Sequence, residues 1–206
     1  MPAEPQPVVR AAVPADAEPV AAIFAHYVTT SVATFEEVVP TAADWRRRLG
    51  ELAARNLPFL VAEAGVAGGG VAGGGVAESR LGEGGVAGGG VAGGSGFVCG
   101  FAYASPWRPK SAYRHTVEDT VYLSPGCTGR GIGSALLGTL LAGCAAADAR
   151  QVIAVIADTG SDASAALHRR FGFTQAGLLS GVGRKHGLWI DTLLMQKELE
   201  SGGPTR

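Results

Sequence analysis

Apolar positions along this chain fall into two rhythms, one close to helical and one alternating. Val8–Val13 is a short apolar run that reads as a strand, followed by the break Pro14-Ala15-Asp16. Val20, Ile23, Phe24 and Tyr27 then recur at helical spacing, with Asp16 placed to cap that helix. Thr41 opens a second helix running to Asn56. It carries Trp45, Leu49 and Leu52 on one face, Arg46, Arg47 and Arg48 begin the other, and Pro58 ends it. Phe59–Ala64 and Phe97–Ala104 read as strands. Thr116–Leu123 alternates, setting Val117, Asp119, Val121 and Leu123 against Glu118, Thr120 and Tyr122. An Ala/Leu-rich helix is predicted from Ser134 to about Ala149, a strand over Gln151–Ala157 and a helix over Ser161–Phe171. Thr174–Ala176 begins a final strand region, Gly177–Gly187 reads as loop, and Trp189–Glu198 is the last strand. Adjacent strands in the middle, with helices on either side of them, predict a mixed α/β sheet and not a doubly wound one.

Composition changes this picture in one place. Residues 65–96 repeat Gly-Val-Ala-Gly-Gly-like units and hold 16 of the 32 glycines. That density of glycine is costly to order, and the five- to six-residue period matches neither a helix nor collagen. The expectation is a flexible insert joining two strands of a single domain spanning 1–206, since closure entropy rises only logarithmically with loop length; a functional lid or a glycine-rich sheet is the alternative.

The formal net charge of −1 offers no field for nucleic acid. Cys99, Cys127 and Cys144 are scattered, without zinc spacing, and read as reduced thiols. MPAEPQP lacks the basic and apolar regions of a signal peptide, and no apolar run is long enough to span a bilayer. These features predict a cytoplasmic protein with no metal, nucleic-acid or membrane partner.

The junction after Leu123 carries the first chemistry. Ser124-Pro125-Gly126-Cys127 leads into Thr128-Gly129-Arg130-Gly131-Ile132-Gly133, and a helix follows. Glycines at 129, 131 and 133 remove side chains where backbone N–H groups gather at the positive end of that helix, an arrangement suited to a phosphate or pyrophosphate. A plain tight turn is the alternative. No Gly-Lys-Ser/Thr follows, and the spacing is not GxGxxG, so neither a P-loop nor a dinucleotide fingerprint is present.

Arg130-Gly131-Ile132-Gly133-Ser134-Ala135-Leu136-Leu137 resembles the acetyl-CoA pyrophosphate loop of the GNAT N-acetyltransferases. Three further stretches resemble the phosphinothricin N-acetyltransferases, a group that includes enzymes acting on methionine sulfoximine and methionine sulfone. They are residues 107–123 (WRPKSAYRHTVEDTVYL), 166–173 (ALHRRFGF) and 183–191 (GRKHGLWID). The resemblance implies a GNAT fold, a mixed, mostly antiparallel twisted sheet flanked by helices. It also implies acetyl-CoA as co-substrate, a small amino-acid-like acceptor and a homodimer. Thr128 and Ser161 stand where many relatives carry Gln or Arg and Asn.

On that basis Val121, Tyr122, Leu123, Thr128, Gly129, Arg130, Gly131, Ile132, Gly133, Ser134, Ser161 and Ser164 are expected to hold the cofactor, with a bulge freeing amides near Tyr122 and Leu123. Amine acetylation needs a neutral amine, a polarised carbonyl and a proton for the thiolate. Glu118, beside the loop, is the expected base, and His168 a second catalytic group, acid or base. Arg108, Lys110 and Tyr113 precede the catalytic strand and suit an anionic acceptor; Thr120 and Phe35 complete the expected substrate set. Lys185 and His186 are candidates for a wall shared across a dimer. A peptide-acetylating enzyme and a non-catalytic CoA-binding module are the alternative readings.

Overall fold

In the computed structural model, which describes residues 7–64 and 97–200, the chain runs β1 (Val8–Ala11), α1 (Ala17–Thr30), α2 (Ala42–Ala53), β2 (Phe59–Ala64) and β3 (Phe97–Pro106). It continues through β4 (Thr116–Leu123), α3 (Ile132–Ala146), β5 (Gln151–Ala157), α4 (Ala163–Arg170), β6 (Thr174–Lys185) and β7 (Leu188–Glu198). The glycine-rich repeat expected to be a flexible insert lies outside the described residues. The seven strands form one sheet in the order β1-β2-β3-β4-β5-β7-β6. Every pairing is antiparallel except β4–β5, which makes the sheet mixed as the element order predicted.

Side-chain alternation along the strands divides the interior into two cores. On one face Val20, Ile23 and Phe24 of α1 and Trp45 and Leu52 of α2 pack against Phe59, Val61, Phe101 and Tyr103. The rings meet edge to face, Phe24–Trp45 at 5.2 Å and Trp45–Phe101 at 5.3 Å between centroids. On the other face Leu136, Leu137, Leu140 and Cys144 of α3 lie on a floor of small residues, Ala62, Cys99, Ala102 and Ala104, with Val117 and Val152. Small strand residues let the helix approach closely: a Cβ added at Gly100 would stand 3.1 Å from Leu136 Cδ1.

Local chemistry sets the element ends. Thr41 caps α2 through a reciprocal box, its hydroxyl accepting the Asp44 N–H while the Asp44 carboxylate accepts the Thr41 N–H at 2.9 Å. Asp16 precedes α1 but does not cap it. Its carboxylate accepts the Val13 N–H at 2.7 Å and both terminal nitrogens of Arg10, which also donates to Glu63 on β2. Asp16 thus ties the first strand pair to the start of α1.

Several predicted boundaries move; β1 stops at Ala11 and α2 at Ala53, short of the expected Val13 and Asn56. The helix expected from Ser134 to Ala149 starts at Ile132, directly after Gly131 at φ +76°, and stops at Ala146, before Asp148 turns left-handed. The following helix is shorter than Ser161–Phe171, covering Ala163–Arg170 and closed by Gly172 at φ +82°. The loop expected over Gly177–Gly187 is strand up to Lys185. Register shifts at Gln175/Gly177 and Leu179/Gly183 absorb the extra residues, and the Gly181 N–H finds the Asp191 carboxylate at 2.7 Å.

Candidate active site

β4 and β5 lie side by side only from Thr116↔Gln151 to Asp119↔Ala154. Beyond that point β4 continues to Leu123 and β5 to Ala157 with no ladder between them, so the strands part and their facing backbone groups lack a sheet partner. The parting opens a cleft of about 670 Å³ bounded by both strands, residues 128–134 and α4. The bulge expected on β4 is not there. The β3–β4 register runs unshifted from Gly100↔Leu123 to Pro106↔Val117, so the opening comes from the end of β4–β5 pairing.

At one end of the cleft α3 begins without a side-chain cap, its N-cap Gly131 in the left-handed region. Its first-turn N–H groups are therefore available to a ligand. Cβ atoms added at Gly129 or Gly131 would meet nothing within 4 Å, so the glycines leave an open cradle. That cradle fits a pyrophosphate. Thr128, Gly129, Gly131, Ile132, Gly133 and Ser134 all line the cleft, while Arg130 is exposed outside it. Val121, Tyr122, Leu123, Ser161 and Ser164 line it as well. The Leu123 carbonyl is taken by the Tyr27 hydroxyl at 2.6 Å, a contact the helical pattern around Tyr27 did not reveal.

Glu118 and Thr120 reach the cleft from β4. Burial, then the neighbouring charge of Asp119, push the Glu118 carboxyl above its ordinary range, and Arg108 pulls against them. Arg108 itself lies over the Trp107 ring at 4.8 Å. Lys110 and Tyr113 are exposed in the loop before β4 and, like Arg108 and Phe35, do not line the cleft. Phe35 covers Gly183 of β6, where an added Cβ would overlap its ring. Lys185 is buried within its own chain and donates to the carbonyls of Thr34 at 2.8 Å and Tyr27 at 3.4 Å. It therefore holds the Phe35 loop.

His168 enters from α4 and is 4 % exposed. Its Nδ1 stands 2.7 Å from the Ser164 carbonyl and its Nε2 2.9 Å from Asp119 Oδ2. Burial works against a charged ring, and the hydrogen bond and charge of Asp119 outweigh it, so the imidazole pKa is raised. Asp119 was missing from the expected site, although one signal marked it: a single carboxylate among the inward residues Val117, Val121 and Leu123.

The sequence of residues 26–173 matches the model of the acetyltransferase (GNAT) family. This chain belongs to the GNAT family. A phosphinothricin N-acetyltransferase of Alcaligenes faecalis is 40 % identical over 92 % of this chain and 81 % of its own length. One from Streptomyces viridochromogenes is 34 % identical over 96 % and 91 %. Among solved structures, a GNAT superfamily phosphinothricin acetyltransferase from Sinorhizobium meliloti in complex with AcCoA superposes with a TM-score of 0.77. It shows 36 % identity and covers 97 % of this chain and 92 % of that one.

Proposed function

We propose that this chain transfers the acetyl group of acetyl-CoA to the α-amine of a small anionic amino-acid analogue such as phosphinothricin, methionine sulfoximine or methionine sulfone. Relatives bearing those substrates in their names support the reading. The observation that carries it is Glu118, a carboxyl held above its ordinary range beside the parting strands and within the field of Arg108.

The thioester supplies an activated acetyl group. Glu118 takes a proton from the acceptor's ammonium, directly or through water, because only the neutral amine can attack. The amides of Val121 and Leu123, which alternate away from β3 toward the parted side of β4, receive the charge that grows on the carbonyl oxygen. The α3 N-terminus and Gly129–Ser134 hold the pyrophosphate, and Ser161 and Ser164 border the pantetheine arm. Arg108, whose charge reaches Glu118, is assigned to the acceptor's anionic group and Phe35 to its side chain, while Lys110 and Tyr113 stand exposed in the same loop.

We place the enzyme in the cytoplasm as a homodimer, the second copy covering the exposed apolar side chains of β6 and β7. Steady-state thiol release with the three small acceptors and with a generic peptide tests the reading. Turnover of at least one small acceptor well above the peptide is expected; equal or faster acetylation of the peptide would defeat it.

A further inference from the structure

The pair between Asp119 and His168 stands where β4 and β5 separate. Asp119 is the last β4 residue paired to β5, opposite Ala154, and His168 belongs to the helix that forms the far wall of the cleft. Their side chains are 2 % and 5 % exposed. Geometry limits what this histidine can do. A carbonyl can only accept, so Nδ1 must carry a proton for Ser164. Nε2 then faces Asp119 Oδ2, and a single further proton lies between the two. Whichever atom holds it, both ring nitrogens are engaged and neither is free for a sulfur in the cleft. The Phe173 ring closes a further side, edge-on at 4.9 Å. The other carboxylate oxygen, Asp119 Oδ1, is buried with no hydrogen-bond partner among the described residues. A carboxylate left half-satisfied in this way is strongly bound to the one donor it has.

We infer that Asp119 is a positioning residue: seated at the fork of the sheet, it holds His168, and through it α4, at a set distance from β4, and so fixes the width of the cleft that receives the pantetheine arm. His168 on this view is a strut and not the proton donor to the thiolate. The chemistry closes without it. The acceptor nitrogen gives one proton to Glu118 before attack and sheds a second once the N–C bond has formed and the C–S bond has broken. That second proton equals the one the departing thiolate takes up.

The inference rests on the acetyl-CoA reading of the cleft, and its test separates the two. Acetyl-CoA affinity is measured by equilibrium titration with no acceptor present, and kcat is followed against pH. The groups facing the pair are Glu118 on β4 itself, Cys144 on α3, whose thiol is pushed up to about 12 by burial first and by the Asp119 charge second, and Ser164 on α4.

Asp119→Ala cuts the strut and should weaken acetyl-CoA binding by about tenfold or more, as small misplacements of a binding wall do. Asp119→Asn can donate its amide to Nε2 of a neutral imidazole, rebuilding the link without charge, and should recover affinity to within about threefold of the parent. Its kcat should keep the parent's basic limb. A kcat for Asp119→Asn reduced by about 10²-fold with a displaced basic limb and intact affinity would make His168 the acid and overturn the inference. Parental affinity in Asp119→Ala would overturn it equally, and should that variant not fold, the Asn variant alone decides. If the parent fails to bind acetyl-CoA at all, the reading of the cleft falls, and the inference falls with it.

Discussion

Glu118 sits where function and stability pull in opposite directions. Its carboxyl is raised by burial first and by Asp119 second. A carboxyl whose folded pKa exceeds its unfolded one adds stability that is complete below the unfolded value and lost as pH rises through the folded value. At neutral pH the ionised Glu118 therefore costs stability, and Glu118→Gln removes that cost. The variant should melt higher than the parent at pH 7–8, by on the order of 2–4 °C for each ~1 kcal/mol relieved, and show no gain at pH 4 or below. Activity should move the other way, with kcat/KM for the small acceptor falling by about 10²–10⁴-fold and the parent's acidic limb disappearing. Thermal melts and pH–rate profiles on the same samples check both halves; a variant that keeps its rate across the range would remove Glu118 as the base. Gly131 makes the second residue-scale case. At φ +76°, Gly131→Ala strains the backbone by about 1–2 kcal/mol even though a Cβ there meets no atom of the protein. The methyl group would project into the cradle where we propose the phosphates bind, so acetyl-CoA affinity should fall more than the melting temperature does.

The wall we propose for the acceptor joins pieces distant in sequence, and here the elements carry information that single residues do not. The loop after α1 brings Phe35 onto Gly183 of β6, and buried Lys185 holds the same loop through the Thr34 and Tyr27 carbonyls. Gly183→Ala puts a carbon inside the Phe35 ring and must expel it. The acceptor KM should rise several-fold while acetyl-CoA affinity stays, because the cradle at Gly129–Ser134 lies on another part of the chain; a change confined to the cofactor side would refute this wall. Phe35 and Lys185 were each marked in the sequence, but the packing that joins them through Gly183 of β6 was not. Gly177–Gly187 reads as loop because its glycines suppress strand propensity, yet β7 offers a regular edge and register shifts absorb the irregularity. Lys185 was expected in a wall shared across a dimer, and only the packed loop shows it buried within its own chain. By contrast, β4, β5 and the glycine turn could be read directly. Alternation in one strand, an apolar run in the next and glycines at one junction are local signals, and local signals survive in a single sequence. The Asp119–His168 pair falls between these cases: each residue was visible, and the contact joining them across 49 positions was not.

At the scale of the whole molecule, the sheet separates two cores, and its two ends differ in how well they are covered. α1, α2 and α3 cover the β1–β4 half with buried aromatic and leucine side chains. At the other end β6 is the edge strand, and the β6–β7 hairpin exposes Leu178, Leu179, Val182, Leu188 and Trp189, the last at 71 %. A row of large apolar side chains on an edge hairpin is a surface that an isolated protein tends to avoid, and a second copy of the same hairpin is its simplest cover. Trp189 faces Arg184 across the β6–β7 ladder, with the guanidinium 5.8 Å from the ring. Trp189→Glu would put a carboxylate beside that guanidinium and against whatever packs there. It should leave the monomer folded, since Trp189 contributes little to either core, and lower the sedimentation mass from two chains to one at micromolar concentration. If the parent sediments as a single chain, the hairpin has some other occupant. If the variant dissociates and also loses acceptor affinity, the two copies share the wall that Gly183, Lys185 and Phe35 begin, because Trp189 pairs with Arg184, between Gly183 and Lys185 on β6.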